Sequence, residues 1–186
     1  CLGDSDAAEQ LRRARDYTRN LTDVVAASDP FAQEWIVDTA DYNALLWATQ
    51  EGVMAYLEIP SINVRLPIYH GVGSDVLMKG VGHLPETSLP VGGESTHCVL
   101  AGHSGMTHAR LFSDLPKLEI GDEFRIHVYD QTLTYTVDQV KPVLPTDTKD
   151  LTIVPGKDYV TLITCVPVGV NSHRLLVRGV RTYTID

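Results

Sequence analysis

Apolar side chains recur at helical intervals along the first 28 residues, and a shorter run with the same spacing covers residues 38 to 50. Between the two runs, Asp29-Pro30 interrupts the pattern, because a residue that precedes proline is disfavoured in the α-helical region. The sequence therefore predicts two helical segments joined by a turn, with the second ending near Gly52. The apolar positions of the first segment are Ala7, Leu11, Ala14, Tyr17, Leu21, Val24 and Val25.

From Val53 onward the pattern changes to short β-rich segments separated by turns that contain Gly, Pro, Asp and Asn. The turn between the fourth and fifth segments, YDQTL, is typical of a hairpin. Little helix is expected between the segments, so the pattern indicates a mainly β barrel or sandwich behind an N-terminal helical piece. The predicted strands cover residues 53–59, 63–69, 96–103, 123–130, 131–140, 159–165 and 174–185.

Length and composition fit one globular domain with a full core: 186 residues, of which 44% are hydrophobic and 21% charged. The net charge of −9 argues against a protein that follows nucleic-acid phosphates. The 3 cysteines are an odd number, which makes a closed disulfide framework an unfavourable interpretation. No apolar run approaches the roughly 18 to 20 residues that a membrane-spanning helix requires. Peptide, protein and sugar partners stay open.

Cys165 ends the apolar run TLITC and precedes a loop that contains Pro and Gly. A lone cysteine in this setting is commonly a small buried hydrophobe. A strand end is also where reactive side chains are presented, and Arg174 opens the next predicted strand. An adjacent guanidinium would favour the thiolate, so Cys165 is also a candidate nucleophile.

His103 is the best candidate proton donor, because the glycines in VLAGHSGM let its imidazole project from a tight turn. A metal cluster of His97, Cys98, His103 and His108 is the alternative, but its spacing fits no familiar zinc pattern. We therefore expect no metal. His173 would point to the opposite strand face from Arg174 and is expected to be structural.

TLITC, followed by Arg174 and preceded by an upstream Gly-His, resembles the sortase signature TLxTC…R. The segments YLEIPSINVRLPIYHG, TSLPVGGESTHCVLAGHSG, LFSDLPKLEIGDEF and TLITCVPVGVNSHRLLVRG resemble class C sortases, the pilus-assembling branch. The resemblance runs from about Gly52 to Arg181. It implies a closed β-barrel of about 7–8 strands, with an N-terminal helical region over residues 1–51 and a catalytic barrel over 52–186.

The resemblance also implies the site. Cys165, His103 and Arg174 would be catalytic, and a lid at about residues 27–34 would carry the motif Asp29-Pro30-Phe31. Asp29 would pair with Arg174, and Phe31 would cover Cys165. A plain interhelical turn is the alternative for this motif.

The function implied is a cysteine transpeptidase that cleaves an LPxTG-like signal of pilin subunits through a thioacyl enzyme. The product would be joined to a lysine amine of the next pilin, with no cofactor, at the extracytoplasmic face of the membrane. A native membrane anchor is expected outside residues 1–186. Two alternatives stay open: a sortase that uses a peptidoglycan amine, and a non-catalytic barrel that binds extended peptides.

Two departures from the family pattern and one coincidental match to a substrate signal stand out. Ser104-Gly105 occurs where many class C members carry Arg-Gly, and little effect on the chemistry is expected. Cys98 stands where a small residue such as Ala is usual, and a disulfide with Cys165 is not expected. Residues 84–88, LPETS, mimic the signal that sortases cut, but their internal position makes this a coincidence.

Overall fold

The computed structural model describes residues 4–20, 29–31, 42, 44–46, 52–107 and 109–183. Helix α1 spans Asp4–Asn20, as the apolar spacing predicts for this stretch. Leu11, Ala14 and Thr18 are buried against the barrel, and the opposite side carries exposed ion pairs such as that between Arg12 and Glu9. Residues 21–28 of the predicted helix lie outside the described residues. So does the second predicted helical segment, apart from residues 42 and 44–46.

The β-rich part forms one closed barrel of eight strands, in the spatial order β1-β2-β3-β4-β7-β8-β6-β5. This confirms the predicted fold class. The strands are β1 Val53–Ile59, β2 Val64–His70, β3 Val81–His83, β4 Thr96–Ala101, β5 Glu123–Val128, β6 Gln131–Val143, β7 Asp158–Val166 and β8 His173–Thr182. Short helices occur at α2 Ser74–Leu77 and, as 3₁₀ turns, at Pro60–Ile62, Leu115–Lys117 and Lys149–Leu151.

The β5–β6 hairpin forms where the sequence predicts it, whereas β3 is a strand that the prediction missed. β3 has only three residues, too few to show alternation, and it is a strand because β2 and β4 bond to its two edges.

Burial along the strands explains how the barrel is covered. β5 alternates between buried and more exposed positions, as expected for a strand with one face on the core. In β7, every residue before Val166 is buried, so both faces are covered. The main core fills the barrel, and a second apolar cluster, which includes Leu84, Val99 and Ile163, covers the other face of this part of the sheet.

The parallel pairing of β4 with β7 determines the relative positions of His103, which follows β4, and Cys165, which lies near the end of β7. Thr96 pairs with Asp158 at one end and Ala101 pairs with Ile163 near the other. Parallel strands end at the same edge of a sheet, so the loop after β4 and the end of β7 meet there.

Gly179 lies where β8 passes the aromatic core closely. A Cβ at this position would lie 2.6 Å from Cζ of Phe124 and 2.9 Å from Cβ of Tyr135. Gly179→Ala is therefore expected to lower the free energy of unfolding by about 1–3 kcal/mol, measured by chemical denaturation. Gly73→Ala is the matched control, because its nearest neighbour is the movable carboxylate of Asp75 and its cost should stay below about 1 kcal/mol. Equal effects of the two substitutions would contradict the close packing at Gly179.

Candidate active site

Cys165 and Arg174 face each other across the β7–β8 pair. Their Cα atoms are direct partners in the antiparallel register, which continues inward with Thr164 opposite Leu175. Side chains of directly opposed residues project to the same face of a sheet. The hairpin therefore places a guanidinium beside the thiol, as the sequence predicts.

His103 follows β4 in a loop that is fastened to β7 by three hydrogen bonds. The Gly102 amide donates to the Ile163 carbonyl at 3.1 Å, and Thr164 Oγ1 donates to the Gly102 carbonyl at 2.7 Å. Ser104 Oγ donates to the Cys165 carbonyl at 2.7 Å. These bonds lie on both sides of His103 in the sequence, so its backbone is tied to the strand that carries Cys165.

Phe112 supports the same loop from the other side. Its amide donates to the His103 carbonyl at 2.9 Å, and its ring would lie 2.6 Å from a Cβ at Gly102. Glycine at 102 is thus required by the close approach of an aromatic ring.

Residues 29–31, for which the sequence predicts a lid, are held to Arg174 of β8. Asp29 accepts two hydrogen bonds from Arg174, from Nε and Nη2, each at 3.1 Å, and the two side chains are only 15% and 11% exposed. The Phe31 amide donates to Asp29 Oδ1 at 3.2 Å, which makes the segment a compact turn that includes buried Pro30. A bidentate, shielded pair of this kind holds its partners far better than an exposed one.

The Phe31 ring lies near both candidate polar groups, His103 and Arg174. Its centroid is 5.7 Å from that of the His103 ring, and the Arg174 guanidinium carbon is 5.2 Å from it. The ring also packs against the second apolar cluster. Phe31 therefore occupies space beside both His103 and Arg174.

Burial keeps the two candidate reactive groups uncharged at neutral pH. It raises the pKa of the Cys165 thiol; Arg174 opposes that rise and Asp29 adds to it. Burial also lowers the pKa of His103 below its ordinary value. The arrangement with Phe31 and Asp29 in place thus favours a neutral thiol and a neutral imidazole.

The alternative metal cluster does not assemble around His103 in the described part of the chain. His97 donates from Nδ1 to the Thr152 carbonyl at 2.8 Å and accepts from Thr161 Oγ1 at 2.6 Å, so both ring nitrogens are engaged. No group of three potential metal ligands occurs among the described residues. His108 lies outside them.

The remaining candidates are structural in their surroundings. Cys98 is a free, buried cysteine opposite Val160 in the core. Leu84, Thr87 and Ser88 of the LPETS segment are buried within the protein. His173 is exposed and bonds to Ser172.

The sequence of residues 57–182 matches the family described as the sortase domain. This chain belongs to the sortase family. Sortases are transpeptidases, so the chain is an enzyme of that class.

Curated sortases resemble this one over much of its length. Sortase A of Bacillus anthracis is 34% identical over 170 residues, which cover 91% of this chain and 77% of that protein. Sortase D of Bacillus subtilis is 36% identical over 128 residues, covering 67% of this chain and 62% of that protein.

Solved sortase C structures resemble this sortase more fully. Sortase C-1 from Actinomyces oris superposes with a TM-score of 0.91 at 46% identity, covering 96% of this chain and 99% of that one. Sortase C-1 from Streptococcus pneumoniae gives 0.89 at 41%, covering 99% and 93%. The pilus-related sortase C of Group B Streptococcus gives 0.88 at 41%, covering 98% and 92%. These matches support the predicted assignment to class C.

Within the described residues of this sortase, no helix is long and apolar enough to cross a membrane.

Sequence reasoning missed Ser104, Thr164 and Phe112 as positioning groups. The sequence predicts little effect of Ser104 on the chemistry, and that stays a prediction; in the structure its hydroxyl bonds to the backbone of Cys165. Its contact spans 61 positions of sequence and depends on the parallel β4–β7 pairing, which no local pattern encodes.

Asp29→Ala should release Arg174 and speed the alkylation of Cys165. Loss of the carboxylate removes one cause of the raised thiol pKa and leaves the guanidinium free to favour the thiolate. The rate of iodoacetamide labelling should therefore rise with pH in both proteins, with the apparent pKa lower in the variant. Peptide-resolved mass spectrometry separates Cys165 from the other thiols.

Asp138→Ala is the matched control, because Asp138 forms a similar two-bond pair with Arg178 farther along β8. It should leave the Cys165 rate unchanged. An unchanged rate in Asp29→Ala, or an equal increase in both variants, would refute the role assigned to Asp29.

Proposed function

We propose that this sortase joins pilin subunits, cleaving an LPxTG-like signal at its Thr carbonyl and transferring the acyl group to a lysine amine of the next subunit. One observation carries the proposal: Arg174 lies opposite Cys165 and is at the same time paired with Asp29, next to Phe31. Support also comes from the solved relatives, one of which is described as pilus-related and another with reference to pilin substrate specificity.

The first half-reaction forms the thioacyl enzyme. The Cys165 thiol gives its proton to His103, and Sγ attacks the Thr carbonyl carbon as a thiolate. The His103 imidazolium formed in this way gives that proton to the nitrogen of the breaking amide bond. Arg174 donates hydrogen bonds to the carbonyl oxygen as negative charge develops on it. The C–N bond breaks, and the free amine leaves while the thioester remains on Cys165.

The second half-reaction returns the enzyme to its starting state. A lysine amine attacks the thioester carbon, His103 takes a proton from that nitrogen, and the C–S bond breaks to release the Cys165 thiolate. The product is an isopeptide bond. No cofactor enters either step.

Residues 29–31 act as a lid in this proposal. Asp29 occupies the donors of Arg174 that would otherwise face the substrate carbonyl, and Phe31 occupies the space beside His103. Opening the lid would free the guanidinium and lower the thiol pKa in the same event. The lid thus controls both the access of substrate to the site and the reactivity of the Cys165 thiol.

Trapping of the thioacyl adduct tests the reaction. An LPxTG peptide should give a covalent adduct on Cys165 in the wild type and more of it in Phe31→Ala, because the smaller side chain opens the space beside His103. Mass spectrometry detects the adduct. Cys165→Ala should give none, whereas Cys98→Ala, which removes a buried thiol of the core, should keep it.

Persistence of the adduct in Cys165→Ala would refute the assignment of Cys165 as the nucleophile.

Adding purified pilin or a peptidoglycan amine to the trapped enzyme then tests which amine is the acceptor. Faster discharge by the peptidoglycan amine than by the pilin lysine would favour a sortase that anchors proteins to the cell wall.

Ser104 is proposed as a positioning residue, contrary to the expectation that it matters little. Ser104→Ala removes the donor to the Cys165 carbonyl, so we expect kcat to fall by roughly fivefold, about 1 kcal/mol, with KM nearly unchanged. Ser104→Thr keeps the hydroxyl and should restore most of the rate. The measurement is steady-state peptide cleavage.

Ser113→Ala is the control for this change, because Ser113 Oγ accepts from the Gly105 amide in the same loop without a bond to β7. Its kcat should stay near that of the wild type. Equal losses from the two alanine variants would indicate general loosening of the loop instead of positioning by Ser104.

A further inference from the structure

A cavity of about 360 Å³ lies at the barrel end opposite Cys165. Helix α1 forms one wall, and the loop before β4, the start of β6 and the end of β8 form the others. The helix is fixed there by the Leu89 amide, which donates to buried Thr18 Oγ1 at 3.3 Å, and by Arg15 Nη2, which donates to Gln131 Oε1 at 3.2 Å.

Three arginines line this cavity: Arg15, Arg19 and Arg181. Glu94 is the one acidic side chain among its described lining residues. The protein has a net charge of −9, whereas the lining of this cavity contains three guanidinium groups and one carboxylate. Asp16 and Asp158 lie outside this lining but contact Arg19 and Arg181, so any preference for an anion comes from guanidinium donors that lack a close acceptor.

The donors of these arginines are only partly used. Arg15 bonds to a neutral amide, and Arg19 lies 3.4 Å from Asp16 with 76% of its side chain exposed. Arg181 reaches Asp158 at a long 3.5 Å, and within the described part of the chain its buried Nε has no hydrogen-bond partner. A buried donor without an acceptor lowers the stability of the folded state. The fold keeps Arg181 at this position even though its Nε carries that free-energy cost.

The surroundings of Arg181 are shaped to its guanidinium. Gly92 has a φ of +71°, a conformation that favours glycine, and a Cβ there would lie 2.6 Å from Nη1, the movable end of the Arg181 side chain. The rings of Tyr135 and Tyr183 lie 5.9 and 5.1 Å from its central carbon. Aromatic contacts of this kind restrict the plane of the guanidinium.

We propose that this cavity binds a phosphate group, carried by a small phosphate ester or by a phospholipid headgroup. Planar guanidinium groups match phosphate oxygens with paired hydrogen bonds. The volume lies within the range of about 300–1,000 Å³ that is usual for small-molecule pockets.

The site is separate from the transpeptidation chemistry. Asp158, which contacts Arg181, begins β7, whereas Cys165 lies near its other end. Seven residues of strand separate them by about 23 Å. The proposal therefore does not depend on the reaction proposed above.

Binding is tested with three probes. Inorganic phosphate and glycerol 3-phosphate are titrated by calorimetry, and phosphatidylglycerol vesicles are compared with phosphatidylcholine vesicles by co-sedimentation. The double variant Arg15→Gln, Arg19→Gln should weaken binding at least tenfold. The control is Arg12→Gln, Arg13→Gln, which removes the same charge from other positions of α1 and should keep the affinity of the wild type.

Arg181→Lys is a further variant that keeps the charge but loses the planar fork, and it should also weaken binding. Thermal unfolding verifies that each variant is folded. Binding of the soluble phosphates identifies a small ester as the ligand, and binding of phosphatidylglycerol vesicles alone identifies a headgroup; either supports the site. Absence of binding to every probe, equal losses in the two double variants, or equal binding of a hexaglutamate peptide would overturn it.

Discussion

The β7–β8 register is the constraint on which the candidate site depends. Because side chains alternate between the faces of a strand, a shift of one residue would turn either Cys165 or Arg174 to the opposite side of the sheet. β8 pairs with β7 along one edge and with β6 along the other. A register shift would have to break both ladders, so closure of the barrel fixes the position of the guanidinium beside the thiol.

Arg174 has two possible anionic partners, and the structure shows it bound to one of them. Asp29 takes its Nε and Nη2 donors, while Nη1 donates to the carbonyls of Asn171 and His173. The carboxylate raises the thiol pKa, and the guanidinium lowers it. The ion pair and a reactive thiolate therefore compete for the same cation, which links the position of residues 29–31 to the charge of Cys165.

Local patterns in the sequence predict strands well when the strands are long and bonded to sequence neighbours. VMAYLEI corresponds to β1 from end to end, and the hairpin at Tyr129-Asp130 follows from its turn residues. β3 and the loop that carries His103 depend instead on distant partners, as the Ser104–Cys165 bond illustrates. The pairing of Asp29 with Arg174, 145 residues apart, was predicted from family resemblance, since no periodicity relates the two.

The two ends of β7 show how one strand can serve stability and reactivity. Asp158 at its start is 6% exposed and accepts hydrogen bonds from the Gly93 amide and from Tyr135, both at 2.9 Å. These bonds satisfy a buried carboxylate and hold the adjacent loop to the barrel. At the other end, Cys165 is 7% exposed and lies opposite Arg174, which is paired with Asp29 from a separate segment of chain. An ion pair between separate segments can open without breaking the barrel ladders, so the reaction proposed at Cys165 would use the end of the strand where opening costs the fold least.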